Sequence, residues 1–197
     1  LLLVASTSSA QAPTIRIVGD SLSAGYGIDV DQSWATLLQD RLAEQGYEHR
    51  VVNASISGET TSGALVRLPE VLRQHRPRIV VIELGGNDGL RGISLSQMQD
   101  NLKRVVELSL GQWMQVLMLG VRLPPNYGSV FTERFQKMFQ DVAADTGVEY
   151  LPAFMWGIAD KRELMQADGI HPTQEAQPML LDNVWPKIKS MLGSRGD

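Results

Sequence analysis

Ile15-Arg16-Ile17-Val18-Gly19-Asp20-Ser21-Leu22-Ser23 decides how the rest of the chain is read. Its β-branched start fits a pleated, covered surface, so it reads as a buried strand. Gly19 then allows a sharp turn that a side chain would hinder. Ser21 is thereby delivered to the carboxyl edge of a sheet, where open α/β folds place their ligands. A serine held there is a candidate nucleophile, although the G-x-S-x-G elbow is absent. Taken alone, Gly-Asp-Ser is also an ordinary turn sequence.

Outward from this stretch, strand and helix patterns alternate. Ser33 caps an expected helix from Trp34 to Gln45, with Trp34, Leu37, Leu38 and Leu42 on one face and Gly46 as its stop. Arg50–Ala54 is a second strand, followed by the turn Ser55-Ile56-Ser57-Gly58-Glu59-Thr60. The helical stretch to His75 contains Pro69, which predicts a break into two short pieces. Arg78–Leu84 is a third strand ending in Gly85-Gly86-Asn87-Asp88-Gly89, and Ser94 with Gln97 forms a capping box for a helix to Leu110. Gln115–Gly120 and Val148–Leu151 are the fourth and fifth strands, with a helix over Val130–Thr146 between them. A last helix, capped by Thr173 and interrupted by Pro178 and Pro186, runs to Leu192. This alternation predicts a three-layer α/β/α sandwich around a parallel five-stranded sheet, in the flavodoxin-like order 2-1-3-4-5.

The 197 residues suit one domain, taken as 13–197. A net charge of −4 with scattered basic residues argues against nucleic acid as a partner. With no cysteine, disulfides, thiolate catalysis and cysteine-built metal sites are excluded. Residues 1–12 differ from the rest of the chain: an apolar Leu1-Leu2-Leu3-Val4-Ala5, a polar Ser/Thr run, then Ala10-Gln11-Ala12 in the small-x-small pattern of a signal-peptidase site. They read as a signal-peptide remnant or a disordered tail, and the expectation is export to the periplasm with cleavage after Ala12. Nothing later approaches the roughly 20 apolar residues of a membrane span, so no stable membrane insertion is expected.

A neutral serine needs a base, and the chain has only His49, His75 and His171. His75 ends a helix and His49 sits among charges at a strand start, whereas His171 lies in a Gly-Ile-His-Pro loop on the edge where Ser21 emerges. Asp168, three residues earlier, can take the Nδ1 proton and aim Nε2 at Ser21. An oxyanion formed by attack on a carbonyl needs fixed donors. The Ser21 N–H, the Gly58 N–H and the Asn87 amide follow the first three strands in turn. Asp20 and Asp88 read as hydrogen-bonded turn residues, so no metal site is expected.

Gly19-Asp20-Ser21-Leu22-Ser23, Gly58, Gly85-Gly86-Asn87-Asp88 and Asp168-Gly169-Ile170-His171-Pro172 resemble the four ordered blocks of the SGNH (GDSL) hydrolase family. Ala54–Thr60, Glu83–Gly92 and Arg122–Gly128 make the chain most similar to the bacterial periplasmic thioesterase I / protease I / lysophospholipase group, which is arylesterase-type. The resemblance implies a serine esterase acting on aryl and acyl esters, thioesters or lysophospholipids. It implies Ser21, His171 and Asp168 as the triad and Ser21, Gly58 and Asn87 as the oxyanion hole. No cofactor is implied. The expected partner is a small-molecule ester with an acyl chain, and the expected state is a monomer. Met155-Trp156-Gly157-Ile158-Ala159 departs from the acidic stretch of the thioesterase group. The acyl chain is expected between the 123–128 loop and the 154–156 segment, with Leu123, Pro124, Pro125, Tyr127 and Trp156 as substrate-binding residues. Two alternatives stand beside this reading: a carbohydrate deacetylase of the same fold, and a flavodoxin-like phosphate- or nucleotide-binding module. The second leaves the Asp168/His171 pair without a role.

Overall fold

The computed structural model describes residues 12–75, 77–111 and 114–193. The Ala10-Gln11-Ala12 cleavage pattern therefore lies outside them except for Ala12. Five strands, β1 (Thr14–Gly19), β2 (Arg50–Asn53), β3 (Ile79–Glu83), β4 (Gln115–Leu119) and β5 (Glu149–Leu151), form one parallel sheet in the order β2-β1-β3-β4-β5. This is the order expected from the alternation. Ile15 of β1 pairs with Val51 on one side and Ile79 on the other, which sets the register of the central strands. β1 and β3 are buried along their whole length, as strands covered on both faces must be.

The helices are α1 (Ser21–Ala24), α2 (Trp34–Glu44), α3 (Thr61–His75), α4 (Gly86–Leu90), α5 (Leu95–Ser109), α6 (Ser129–Thr146) and α7 (Gln177–Met191). α2 packs on α7, and α3, α5 and α6 pack in a row, so the two groups cover opposite faces of the sheet. The apolar stripes do this work. Trp34, Leu38 and Leu42 of α2 and Phe135, Met138, Phe139 and Val142 of α6 are buried. Each fully buried side chain of this size contributes about 1.5–3 kcal/mol.

Three expectations are corrected. Pro69 does not split α3, which runs unbroken from Thr61 to His75. The helix forfeits one backbone bond there, but Ala64 and Leu68 are buried on the side packed against α5, and that packing holds both halves in line. Pro178 lies in the first turn of α7, where its missing N–H would have had no intrahelical partner, and Pro186 is accommodated inside the helix. The capping box at α5 is half made: Ser94 Oγ accepts the Gln97 N–H at 3.3 Å, with no reciprocal bond from the Gln97 side chain among the described residues.

Long-range ties aim the loops at the carboxyl edge. The Trp34 N–H donates to Gln177 Oε1 at 3.0 Å, and the Trp34 ring meets Phe154 edge-on at 5.4 Å. The segment leading into α7 folds back on itself, with Gln166 N–H to His171 O at 2.7 Å and Thr173 N–H to Leu164 O at 2.8 Å. Residues 168–171 are thus presented at the tip of a closed loop. Among the described residues no helix is long and apolar enough to cross a membrane.

Candidate active site

Ser21 is the first residue of α1, separated from the end of β1 by Asp20 alone. Asp20 precedes it and caps the helix, its Oδ1 accepting the Leu22 N–H at 3.0 Å. The Asp168 loop meets Ser21 across 150 residues of sequence: Ser21 Oγ lies 2.8 Å from His171 Nε2. His171 Nδ1 lies 2.7 Å from Asp168 Oδ2. The other oxygen, Asp168 Oδ1, accepts the N–H groups of Ile170 and His171 at 2.9 and 3.0 Å. Burial works to raise the Asp168 carboxyl, but the hydrogen bonds from the His171 ring and from these two N–H groups outweigh it. They bring it down to about 2, so it is ionised at neutral pH and favours the tautomer with hydrogen on Nδ1. Nε2 is left as the acceptor for the serine hydroxyl.

Tyr26 completes the setting of the imidazole, a role that reading the sequence did not give it, since the Gly25-Tyr26-Gly27 turn counted there only as weak support for the phosphate-binding alternative. Its ring packs on His171 at 4.5 Å between centroids, tilted by 40°. Gly25 and Gly27, both in the left-handed region, turn the chain back so that this can occur. Gln166 Nε2 locks the turn by donating to the Tyr26 carbonyl at 2.8 Å. An aromatic residue between two glycines just after the serine was the available signal. Its meaning depends on a loop some 140 residues away in sequence.

Of the three expected oxyanion donors, the Ser21 and Gly58 N–H groups make no hydrogen bond within the described residues. Asn87, in α4, uses one Nδ2 hydrogen on Asp20 Oδ2 at 3.1 Å and keeps the other. The turn carrying Gly58 is laced to β1 by Ala54 N–H to Ile17 O (2.8 Å) and Ile56 N–H to Gly19 O (3.0 Å). Arg91 Nη2 holds the Gly58 carbonyl at 3.0 Å. Asp88 is a structural turn residue: fully buried, it accepts the Thr61 N–H at 2.9 Å and the Thr61 hydroxyl at 2.5 Å, anchoring the start of α3. Among the described residues no group of His, Cys, Asp and Glu is arranged to hold a metal.

Beside Ser21 opens a cavity of about 400 Å³, lined on its apolar side by Leu90, Val121, Leu123, Pro124, Met155 and Trp156. Asn87 and His171 also face it, and Gly58 does not. Leu123, Pro124 and Trp156 are therefore where the loop pairing placed them. Tyr127 is not: its hydroxyl donates to the Leu90 carbonyl at 3.3 Å and its ring packs on the core. Pro125 opens the short 3-10 turn Pro125–Tyr127, and its side chain lies outside the described part. Phe154 is spent in the core against Trp34. Met155 belongs to the expected 154–156 segment, whereas Leu90 and Val121 were not expected, because their place on the wall follows from how the loops pack.

The model of the GDSL-like lipase/acylhydrolase family matches residues 17–177. The chain is 50% identical to "Esterase TesA" of Pseudomonas aeruginosa over 192 residues, 98% of this chain and 96% of that one. It is 41% identical to "Thioesterase 1/protease 1/lysophospholipase L1" of Escherichia coli K12, covering 92% of this chain and 86% of that one. The crystal structure of a psychrotrophic esterase, EstA from a Pseudoalteromonas species, inhibited by monoethylphosphonate, superposes with a TM-score of 0.87 at 41% identity, covering 92% of this chain and 99% of that one.

Proposed function

This chain belongs to the GDSL-like lipase/acylhydrolase family, and from that membership we propose that it hydrolyses carboxylic esters through an acyl-serine intermediate, with Ser21 as nucleophile, His171 as general base and Asp168 as the group that orients it. The observation that carries this reading is the 2.8 Å contact from Ser21 Oγ to His171 Nε2 beside an apolar cavity. Ser21 Oγ attacks the ester carbonyl carbon while Nε2 takes its proton. The negative charge on oxygen is met by the N–H groups of Ser21 and Gly58 and the free Asn87 amide hydrogen, which need no reorganisation as charge develops. His171 then returns the proton to the leaving alcohol, activates a water, and the acyl-serine is hydrolysed. Ionised Asp168 stabilises the imidazolium in both halves. A fluorophosphonate probe tests the assignment: it should form one stoichiometric adduct, on the peptide carrying Ser21, and an adduct on another serine would overturn it.

The substrate class is an ester with an apolar acyl chain, seated along Leu123, Pro124, Met155 and Trp156. Trp156 is 67% exposed yet held in place, its carbonyl accepting Asn183 Nδ2 at 2.9 Å and its ring lying 5.8 Å from the Arg122 guanidinium carbon. Each methylene buried there adds about 0.8 kcal/mol, or about fourfold in affinity, until the cavity is full. Trp156→Ala should therefore shift the chain-length profile on p-nitrophenyl esters while leaving the melting temperature unchanged. An equal loss at every chain length would place the acyl chain elsewhere. Residues 13–197 are proposed to be one catalytic domain, in keeping with the extent of the family match. Export to the periplasm is proposed from the apolar lead and the Ala10-Gln11-Ala12 pattern.

A further inference from the structure

Glu83, a fully buried acid, stands under the serine turn rather than in the cavity. It ends β3 opposite Gly19 of β1 and has no ion-pair partner among the described residues. Its Oε2 accepts the Ser23 hydroxyl at 2.9 Å and the Asp20 N–H at 3.3 Å. A Cβ on Gly19 would fall 2.9 Å from that same oxygen, so the glycine that precedes Asp20 and Ser21 also makes room for Glu83. Its Oε1 is buried with no donor directed at it. An ionised oxygen left so would pay the whole cost of losing water.

The Asp20 carboxyl is a near neighbour of Glu83, whose Oε2 already holds the Asp20 N–H, and two adjacent buried carboxyl groups do not readily both ionise. Asp20 in turn holds the Leu22 N–H of the serine helix and the Asn87 amide. Nucleophile and proposed oxyanion donor thus hang from one buried acid pair.

We propose that Glu83 is a positioning residue that works as an uncharged acid: it fixes the Asp20–Ser23 turn from beneath and, through Asp20, the orientation of Asn87. This rests on the roles proposed above for Ser21 and Asn87. Among the described residues few titratable groups face Glu83. They are Asp20 from the β1–α1 turn and, beyond Asp20, His171; β4, the other neighbour of β3, contributes none over Gln115–Leu119. Burial first, and the Asp20 charge second, hold the Glu83 carboxyl well above the usual carboxylate range.

Glutamine mimics the uncharged acid, with a carbonyl for Asp20 N–H and Ser23 Oγ. Leucine removes both contacts. On p-nitrophenyl butyrate, Glu83→Gln should retain kcat within about threefold, and Glu83→Leu should lose about tenfold or more in kcat with KM little changed. A Glu83→Gln variant as impaired as Glu83→Leu would overturn the proposal. A second measurement needs only Glu83→Gln. In the unfolded chain Glu83 ionises near pH 4.3, whereas in the native protein it keeps its proton. Wild-type stability from this group is therefore present at low pH and falls as pH rises, until the native carboxyl itself ionises. The folding constant of Glu83→Gln relative to wild type, from urea unfolding at pH 6, 7 and 8, should rise with pH, by up to about tenfold per pH unit while native Glu83 holds its proton. A ratio independent of pH would mean that native Glu83 is ionised and the proposal is wrong. Ser21→Ala, assayed alongside, separates the two levels. If it stays active, the site reading fails; if it is inactive while either Glu83 result is contrary, only the role of Glu83 fails.

Discussion

Ser21→Ala is expected to lower kcat for p-nitrophenyl esters by about 10⁴-fold or more and to abolish fluorophosphonate labelling, with the fold intact. The size of the loss follows from the chemistry. Without Oγ there is no acyl-enzyme, and what remains is catalysis by oxyanion donors and binding alone. The fold should survive because Ser21 Oγ makes one side-chain bond, to His171 Nε2 at 2.8 Å, while the cap of α1 belongs to Asp20. His171 stays fixed by Asp168 at 2.7 Å and by the Tyr26 ring. The melting temperature should therefore change little, and KM, set by the cavity, should change far less than kcat. Activity surviving in the purified variant, above a control carrying His171→Ala as well, would show another nucleophile.

Asn87→Ala is the second large effect, an expected fall of about 10²–10³-fold in kcat, equivalent to about 2.7–4 kcal/mol of transition-state stabilisation. The free amide hydrogen of Asn87 is useful only once negative charge has formed on the substrate oxygen, so KM should move little. The other hydrogen, on Asp20 Oδ2 at 3.1 Å, explains why the amide cannot rotate away. Its loss leaves Asp20 Oδ1 on the Leu22 N–H and the Asp20 N–H on Glu83 Oε2, so the turn should stand. A change confined to KM would make Asn87 a binding residue, and the oxyanion would then rest on the two backbone donors.

Much of this was local enough to be written in the sequence. Ile15–Val18 apart from Arg16, Ile79–Ile82 and Val116–Leu119 are apolar stretches that a sheet covered on both faces can bury, and the helical stripes between them supply the cover. Alternation of the two patterns then leaves few topologies, because crossovers between parallel strands are right-handed. Ser21, Asn87 and the Asp168/His171 pair were legible for the same reason: each follows a strand or closing loop at one edge, in residue types that suit proton transfer or oxyanion binding.

What the sequence did not disclose depends on groups that meet across the fold. Pro69 and Pro186 look like breaks until the packing on either side of each helix is weighed against one lost hydrogen bond. Tyr127 and Phe154 look like pocket residues in a linear reading, yet one is tied to the Leu90 carbonyl and the other is packed on Trp34. Tyr26 over His171 and Glu83 beneath Asp20 are separated by 145 and 63 residues respectively, and no pattern within a window of a few turns reports such pairs. Hydrophobic period and turn chemistry act between neighbours in the chain and so determine which elements form. Which side chain faces which is settled only when those elements pack, because burial, long-range hydrogen bonds and ring contacts exist only between surfaces already brought together.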